Sequence, residues 1–304
     1  MDLLIVLEQL LNGLQLGMLL FLIAAGLTLV FGIMGVVNLA HGSFYMLGAF
    51  AGVFFVNLSG SFLLGCLAAL LAVLLVGVLV ERLVLRPLQD RGHLDQVLAT
   101  FGLILFFNEA IRWVTNNQPM FLSPPEALSG TVELLPDLFY PAYRLAVIVT
   151  SSAVALLLWL FIARTRAGML IRAGATHGRM VRNLGVDIRL LYSLVFGLGA
   201  ALAGLAGLMV GPLVTVEVGM GEQVLILALV IVVLGGIGSV RGTFIAALLV
   251  GMLDSLGRAF MFELLSGVLP PRSVGSMAPA AASLLVYLLM AAVLIARPQG
   301  LFRR

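Results

Sequence analysis

The chain is a succession of apolar stretches, each close to 20 residues long, separated by short polar loops. A bilayer hydrocarbon core about 30 Å thick takes about 20 helical residues to cross. Lipid offers no hydrogen-bond partners, so a crossing segment must satisfy its own backbone, which favours helices. The pattern predicts an all-α, polytopic membrane bundle of about 8–9 transmembrane helices, forming a single domain over residues 1–304. The predicted crossings are residues 10–32, 33–57, 61–81, 96–115, 142–163, 190–211, 222–240, 242–261 and 279–296.

Composition excludes a water-soluble domain. Hydrophobic residues make up 62% of the chain and charged residues only 10%, whereas soluble domains carry about 25% charged residues. The single cysteine, Cys66, excludes a disulfide within one chain. The basic residues are all arginine, and most of them lie in loops between apolar stretches, so the basic balance does not indicate a nucleic acid partner.

The arginines give the bundle an inside and an outside. Thirteen of the 17 fall in three loops and the C-terminal tail, all on one side if each stretch crosses once. The positive-inside rule makes that side cytoplasmic. We therefore predict a cytoplasmic loop over 164–189 and a periplasmic loop over 116–141. The first two stretches are close together and rich in glycine, which leaves open whether one of them is broken or re-entrant.

The most informative segment is the glycine-rich run over residues 32–42, which contains Asn38 and His41. If it is helical, these two side chains share one face. Polar groups at membrane depth are costly unless they face protein or water. They either line a substrate path or bond to neighbouring helices and hold a kink, and the residues alone do not decide between these roles.

Two charged features are also ambiguous. Asp254 and Arg258 are four residues apart and predict an intramembrane ion pair, either structural or functional. The 164–189 loop contains a basic, amphipathic, helix-compatible segment with Met180, Val181 and Leu184 on its expected apolar face. That helix either rests on anionic lipid or docks into a cytoplasmic partner. Glu81, at the end of a crossing, is expected to be solvated.

No catalytic motif is present in the sequence: there is no nucleophile elbow, zinc-protease helix or Walker-type loop. Three histidines and one cysteine form no metal-ligand spacing. Because the chain has no lysine, it cannot carry a P-loop lysine, and ATP-driven transport would need an ATPase on another chain.

These features occur in ordered blocks that resemble the shorter permease subunit of branched-chain amino acid ABC importers. The resemblance covers nearly the whole chain. Its blocks are Asn12–Gly13, Gly26–Gly42, Glu81–Leu88, Arg172–Asp187, Val233–Gly242 and Arg297–Phe302.

The resemblance implies an ABC importer permease fold in a multi-pass, bacterial-type inner membrane protein. It implies partners as well: a second homologous permease in a heterodimer, two ABC ATPase subunits, a periplasmic substrate-binding protein and membrane lipid. ATP and magnesium would be bound by the ATPases, with no cofactor and no metal on this chain, which would not itself be an enzyme.

The resemblance also favours roles for particular residues. A substrate pathway is expected at Asn38, His41, Gly42 and Ser43. ATPase coupling is expected at Arg172, Ala175, Arg179, Met180, Arg182, Leu184 and Gly185. A structural glycine motif is expected at Gly235, Gly236 and Gly238.

The same blocks suit related permeases for urea, short amides or aromatic acids, which stay as alternatives. A stand-alone channel or secondary transporter would need no ATPase, and the basic loop argues against it. A membrane enzyme would need a catalytic cluster that the sequence does not supply.

Overall fold

The computed structural model describes residues 3–36, 38–89, 91–183, 187–267 and 270–302, without the side chains of residues 176–179, 182–183 and 271–272. These ranges contain ten α-helices and one β-hairpin. The helices are α1 Leu3–Met34, α2 His41–Ser59, α3 Phe62–Val80, α4 His93–Thr115, α5 Ala142–Arg164, α6 Arg166–Asn183, α7 Ile188–Val210, α8 Met220–Gly235, α9 Val240–Ser266 and α10 Pro271–Ala296. The strands are β1 Thr131–Leu135 and β2 Leu138–Pro141.

The predicted all-α membrane bundle is confirmed. Eight helices in the described part of the chain are long and apolar enough to cross a membrane. The ninth predicted stretch, 222–240, is the shorter helix α8, whose 16 residues extend about 24 Å.

Helix α1 is the central helix of the bundle. The most apolar 18 residues of α1 are 83% buried inside the protein. The corresponding 18 residues of α4, α5 and α10 are only 17% buried. Glycines allow its backbone to approach α9, because a Cβ on Gly17 would lie 3.0 Å from the Ala247 carbonyl oxygen. The outward apolar side chains of α4, α5 and α10 are therefore suited to contact lipid.

The arginine-rich segments meet at one end of the bundle, here named the basic end. Arg86 donates a hydrogen bond to the Arg189 backbone carbonyl. Arg172 lines a cavity with Gly238, and Arg241 lines another with Phe302. The arginine-bearing loops and tail that the sequence placed on one side thus lie at one end of the bundle.

The opposite end carries the hairpin, which lies inside the predicted 116–141 loop. Strands β1 and β2 are antiparallel. Asn12 in α1 accepts hydrogen bonds from Tyr140 at 3.1 Å and Arg144 at 2.6 Å, so the N-terminal part of α1 is tied to strand β2 and to the first turn of α5.

Helix α2 does not begin where α1 ends. His41, its first residue, contacts Ile23, which lies 11 residues before Met34, or about 16 Å along α1. The non-helical connection, of which residue 37 is outside the described ranges, therefore returns into the bundle before α2 starts. This is the re-entry that the sequence left open, and it moves the predicted boundary of the second crossing from 33 to His41.

Candidate functional site

Asn38 and His41 lie at the start of α2, and both are completely buried. They do not share a helix face, because Asn38 belongs to the non-helical connection. The condition for a common helical face, a helix through residue 38, is therefore not met. The chain reversal nevertheless places His41 at the depth of Ile23, within the membrane-spanning part of α1, with Asn38 three residues before it.

Each of these side chains has one hydrogen bond and one unpaired polar atom. His41 Nε2 lies 3.0 Å from the Ile23 carbonyl oxygen, which can only accept, so Nε2 is the donor. In the neutral ring Nδ1 is then an acceptor, and it has no partner among the described residues. Asn38 Oδ1 accepts from the Ala40 amide at 3.0 Å, and its Nδ2 has no partner in the part of the chain that the structure describes.

An unpaired buried polar group costs about 1–3 kcal/mol. Two such groups within one short segment are unusual in a native protein and call for a functional explanation or bound water. The start of α2 is thus a polar point inside an apolar bundle, able to meet a further polar group.

Gly42 brings the start of α2 against the start of α8. A Cβ on Gly42 would lie 2.3 Å from the Gly221 carbonyl oxygen, and a Cβ on Gly221 would lie 2.2 Å from the Gly42 carbonyl oxygen. Only two glycines permit this contact. We name this contact the α2–α8 junction, comprising Asn38, His41, Gly42, Ser43 and Gly221.

Two helix N-termini therefore meet inside the bundle. Helix N-termini carry partial positive charge and unpaired amide groups, and such interrupted helices form binding sites in several transporter folds. Ser43, in the first turn of α2, is 5% exposed, so the junction is closed in this conformation.

Two residues beside the junction, Glu222 and Asn108, were not predicted from the sequence. Glu222, the third residue of α8, accepts a 2.6 Å hydrogen bond from Asn108 in α4. A carboxylate at the first turn of an apolar stretch was the available signal, but its partner lies 114 residues away in sequence.

The predicted coupling segment forms helix α6 at the basic end. Arg172 donates to the Ile162 backbone carbonyl, and Ala175 lines a cavity of about 240 Å³ with Arg172 and Gly238. Leu184 and Gly185 lie outside the described residues, as do the side chains of Arg179 and Arg182.

The expected apolar face of α6 is wrong in one respect. Val181 is buried against the bundle, whereas Met180 is 63% exposed. Consecutive residues point in different directions around a helix, so they cannot both lie at the centre of one face. Among the described side chains of α6, the exposed large apolar ones are instead Met169 and Met180.

Glu81, expected to be solvated, is fully buried at the end of α3. Its carboxylate accepts from Arg86 Nη2 at 2.9 Å and from Ser193 Oγ in α7 at 2.7 Å. Here α3 continues as a π-helical turn, Glu81–Leu85, a distortion often found at functional positions. The network joins the ends of α3 and α7 close to α6.

The glycine motif forms the turn between α8 and α9. Gly236 and Gly238 have φ values of +96° and +79°, a conformation that favours glycine. A Cβ on Gly235 would lie 2.5 Å from the Gly242 carbonyl carbon. The C-terminal tail covers the turn, since the Phe302 amide donates to the Gly235 carbonyl at 3.3 Å. Two blocks that are far apart in sequence are thus one structural unit.

Asp254 and Arg258 form the ion pair expected from their spacing, with Arg258 Nε 2.8 Å from Asp254 Oδ2. The Asp254 side chain is 10% exposed and that of Arg258 56% exposed. The pair is far along α9 from the α2–α8 junction, nearer the hairpin end. Within the described residues, no group of three His, Cys, Asp or Glu side chains is arranged to hold a metal ion.

Comparisons with known proteins match most of the chain. The family described as branched-chain amino acid transport system / permease component matches residues 9–294. The high-affinity branched-chain amino acid transport system permease protein BraD of Pseudomonas aeruginosa is 32% identical over 265 residues, covering 83% of this chain and 86% of BraD.

The corresponding permease protein LivH of Escherichia coli is 28% identical over 269 residues, covering 84% of this chain and 87% of LivH. A probable LivH of Methanocaldococcus jannaschii is 26% identical, covering 78% of this chain and 76% of that protein. No solved structure matches the chain.

Proposed function

Because the chain belongs to the branched-chain amino acid transport permease family, we propose that it is a membrane subunit of an ATP-driven importer for branched-chain or other neutral amino acids. It forms half of the translocation pathway, and a second homologous permease forms the other half. A periplasmic binding protein delivers the substrate. Two ATPases on the cytoplasmic side bind ATP and magnesium, so the chain itself carries no catalytic site and binds no cofactor.

The observation that carries the proposal is the α2–α8 junction. Two helices begin inside the bundle, packed glycine to glycine, next to the unpaired polar atoms of Asn38 and His41. A protein that only needed stability would gain from apolar side chains there, because each unpaired group is destabilising. A pathway for a polar substrate needs such groups at membrane depth.

The basic end is the cytoplasmic end in this proposal, in keeping with the positive-inside rule. Helix α6 lies there and offers Met169 and Met180 as exposed apolar contacts for an ATPase. Exposed methionines adapt to partner grooves and commonly form such contacts.

A physical connection runs from α6 to the junction. Helix α6 precedes α7 in the chain. The two helices pack closely, because a Cβ on Gly174 of α6 would lie 3.3 Å from Leu191 of α7. Helix α7 then crosses α2 at a glycine contact, where a Cβ on Gly48 would lie 2.1 Å from the Gly204 carbonyl oxygen. Helices packed this closely must move together, so displacement of α6 by the ATPases is transmitted to α2 and opens the junction.

The test is reconstitution of the complete transporter in proteoliposomes, with radiolabelled leucine supplied on the binding-protein side. Uptake should require ATP on the ATPase side and should stop when any one subunit is omitted. Leucine flux through this chain alone, without ATP, would make it a channel or secondary transporter and refute the proposal. Uptake of urea but not leucine would refute the substrate assignment alone.

A further inference from the structure

We propose that Glu222 and Asn108 bind the ammonium group of the transported amino acid beside the α2–α8 junction. The proposal rests on the proposed function, because it assigns one group of that substrate to one place in the pathway. Neither residue belongs to the sequence blocks that indicated the family.

The packing of α8 and of α4 against the start of α2 determines where the pair lies. Glu222 follows Gly221, whose backbone is packed against Gly42 at the start of α2. Asn108 lies in α4 next to Phe107, whose ring packs 6.1 Å from that of Phe44 in the first turn of α2. The carboxylate is therefore held among α2, α4 and α8, away from both ends of the bundle.

The hydrogen bonding of the pair is incomplete in one specific way. Asn108 Nδ2 donates to Glu222 Oε1 at 2.6 Å. Glu222 Oε2 and Asn108 Oδ1 are both buried and have no partner among the described residues. Both unpaired atoms are acceptors, so what is missing is a donor.

Stability of the helix does not account for this arrangement. A carboxylate in the first turn of α8 is favoured by the helix N-terminus. That effect depends only on the negative charge. It does not explain why Asn108 Oδ1 is buried without a partner among the described residues. A charged group inside a membrane bundle normally has a partner of opposite charge or a functional role, and the described residues supply only the neutral Asn108.

The chemistry of the missing group follows from the two acceptors. A primary ammonium group has three N–H donors and no acceptor, and it also neutralises the carboxylate. A carboxylate or an apolar group would leave both acceptors unpaired. A neutral amide could donate to them but would leave the charge of Glu222 unbalanced.

The experiment uses the purified complex of the two permeases and two ATPases, without the binding protein, so that binding to the permeases is measured directly. The probes are leucine, 3-methylbutylamine, 4-methylpentanoate and 3-methylbutanamide, which share a branched side chain and differ in the polar group. Affinity is obtained from the rise in melting temperature with probe concentration. Sodium chloride and choline chloride are compared to test for a metal cation.

Leucine and the amine should bind to the wild-type complex, and the acid and the amide should bind at least tenfold more weakly. Glu222→Gln should weaken binding of leucine and the amine by about tenfold or more, the loss expected for one charge-assisted hydrogen bond. The matched control is Glu217→Gln, because Glu217 is an exposed carboxylate five residues earlier. It should bind both probes as the wild type does.

Equal binding of the acid or the amide, unchanged amine affinity in Glu222→Gln, or stabilisation by sodium but not by the amine would each overturn the proposal. Asn108→Leu keeps the carboxylate and should weaken amine binding severalfold. Unchanged affinity in that variant overturns the proposal even if Glu222→Gln does not assemble. If the wild-type complex drives no ATP-dependent leucine uptake, the proposed function fails; wild-type uptake rates in Glu222→Gln refute only this inference.

Discussion

Replacement of Gly42 by alanine tests the α2–α8 junction. The new Cβ would lie 2.3 Å from the Gly221 carbonyl oxygen, 2.8 Å from its carbonyl carbon and 3.0 Å from Leu225 Cβ. Ordinary contact begins near 3.4 Å, so the two backbones must separate by about 1 Å, a shift that forfeits much of their dispersion attraction. The nearest atoms are backbone, and no side-chain rotation relieves the overlap.

The expected cost is about 1–3 kcal/mol for overpacking, offset by up to about 1 kcal/mol from the better helix propensity of alanine. A net loss of stability should therefore appear as a lower melting temperature of the purified complex. The rate of leucine uptake should fall by more than the loss of folded complex explains, because the substitution forces apart the two helix starts that form the pathway.

The matched control is Gly102→Ala in α4. No heavy atom lies within 4 Å of a Cβ at this exposed helical position, so alanine there should be neutral or slightly stabilising. The reasoning is refuted if Gly42→Ala leaves both the melting temperature and the uptake rate equal to those of Gly102→Ala.

Two further predictions concern the basic end. Glu81→Gln removes the charge that Arg86 and Ser193 bind and should lower the free energy of unfolding by about 1.5–3 kcal/mol, measured by thermal unfolding of the complex; no loss relative to Glu133→Gln on the exposed hairpin would contradict it. Met180→Glu puts a charge on the proposed ATPase contact and should weaken ATPase binding about tenfold or more, measured by co-purification of the ATPases with the permease pair. Full retention of the ATPases in Met180→Glu would remove Met180 from the docking surface.

The crossings were predictable because the energetic signal for a membrane helix is local. A stretch of apolar residues long enough to span lipid can be recognised without knowledge of its neighbours. Length and hydropathy alone are enough to predict α3, α5 and α10. The arginine distribution predicted which loops share one end for the same reason, because the charge of each loop depends only on its own residues.

The re-entry before α2 was not predictable from hydropathy. Val36, Leu39 and Ala40 are as apolar as the helices on either side, so a hydropathy profile passes through the reversal without a minimum. What sets the start of α2 is tertiary packing: the contact of His41 with Ile23 and the close approach of Gly42 to Gly221.

The hairpin was missed for a different reason. Residues 131–141 contain a Pro136-Asp137 turn between two short extended runs, which is a recognisable turn signal. In a chain dominated by membrane helices, the sequence predicts only a polar loop for that segment. Asp137 has a positive φ of 68°, which the residue after proline adopts in a type II turn.

Burial of charge was the least predictable property. Glu81 and Glu222 both stand at the end of an apolar stretch, where solvation is the ordinary expectation. Glu81 binds Arg86 five residues later, but its other partner Ser193 lies 112 residues away in sequence, and Asn108, the partner of Glu222, lies 114 residues away. Only the folded arrangement of α3 with α7, and of α4 with α8, identifies these carboxylates as bound groups.

The central claim is that substrate passes the α2–α8 junction, and Ser43→Cys tests it most directly. The background is Cys66→Ala, which removes the chain's single cysteine, and the reagent is a small, membrane-impermeant methanethiosulfonate added to the assembled transporter. A thiol at position 43 should be labelled in one nucleotide state of the ATPases and protected in the other, because the pathway opens and closes there. A thiol that stays unlabelled in every nucleotide state, while an exposed Ser129→Cys control is labelled in all of them, would contradict the account.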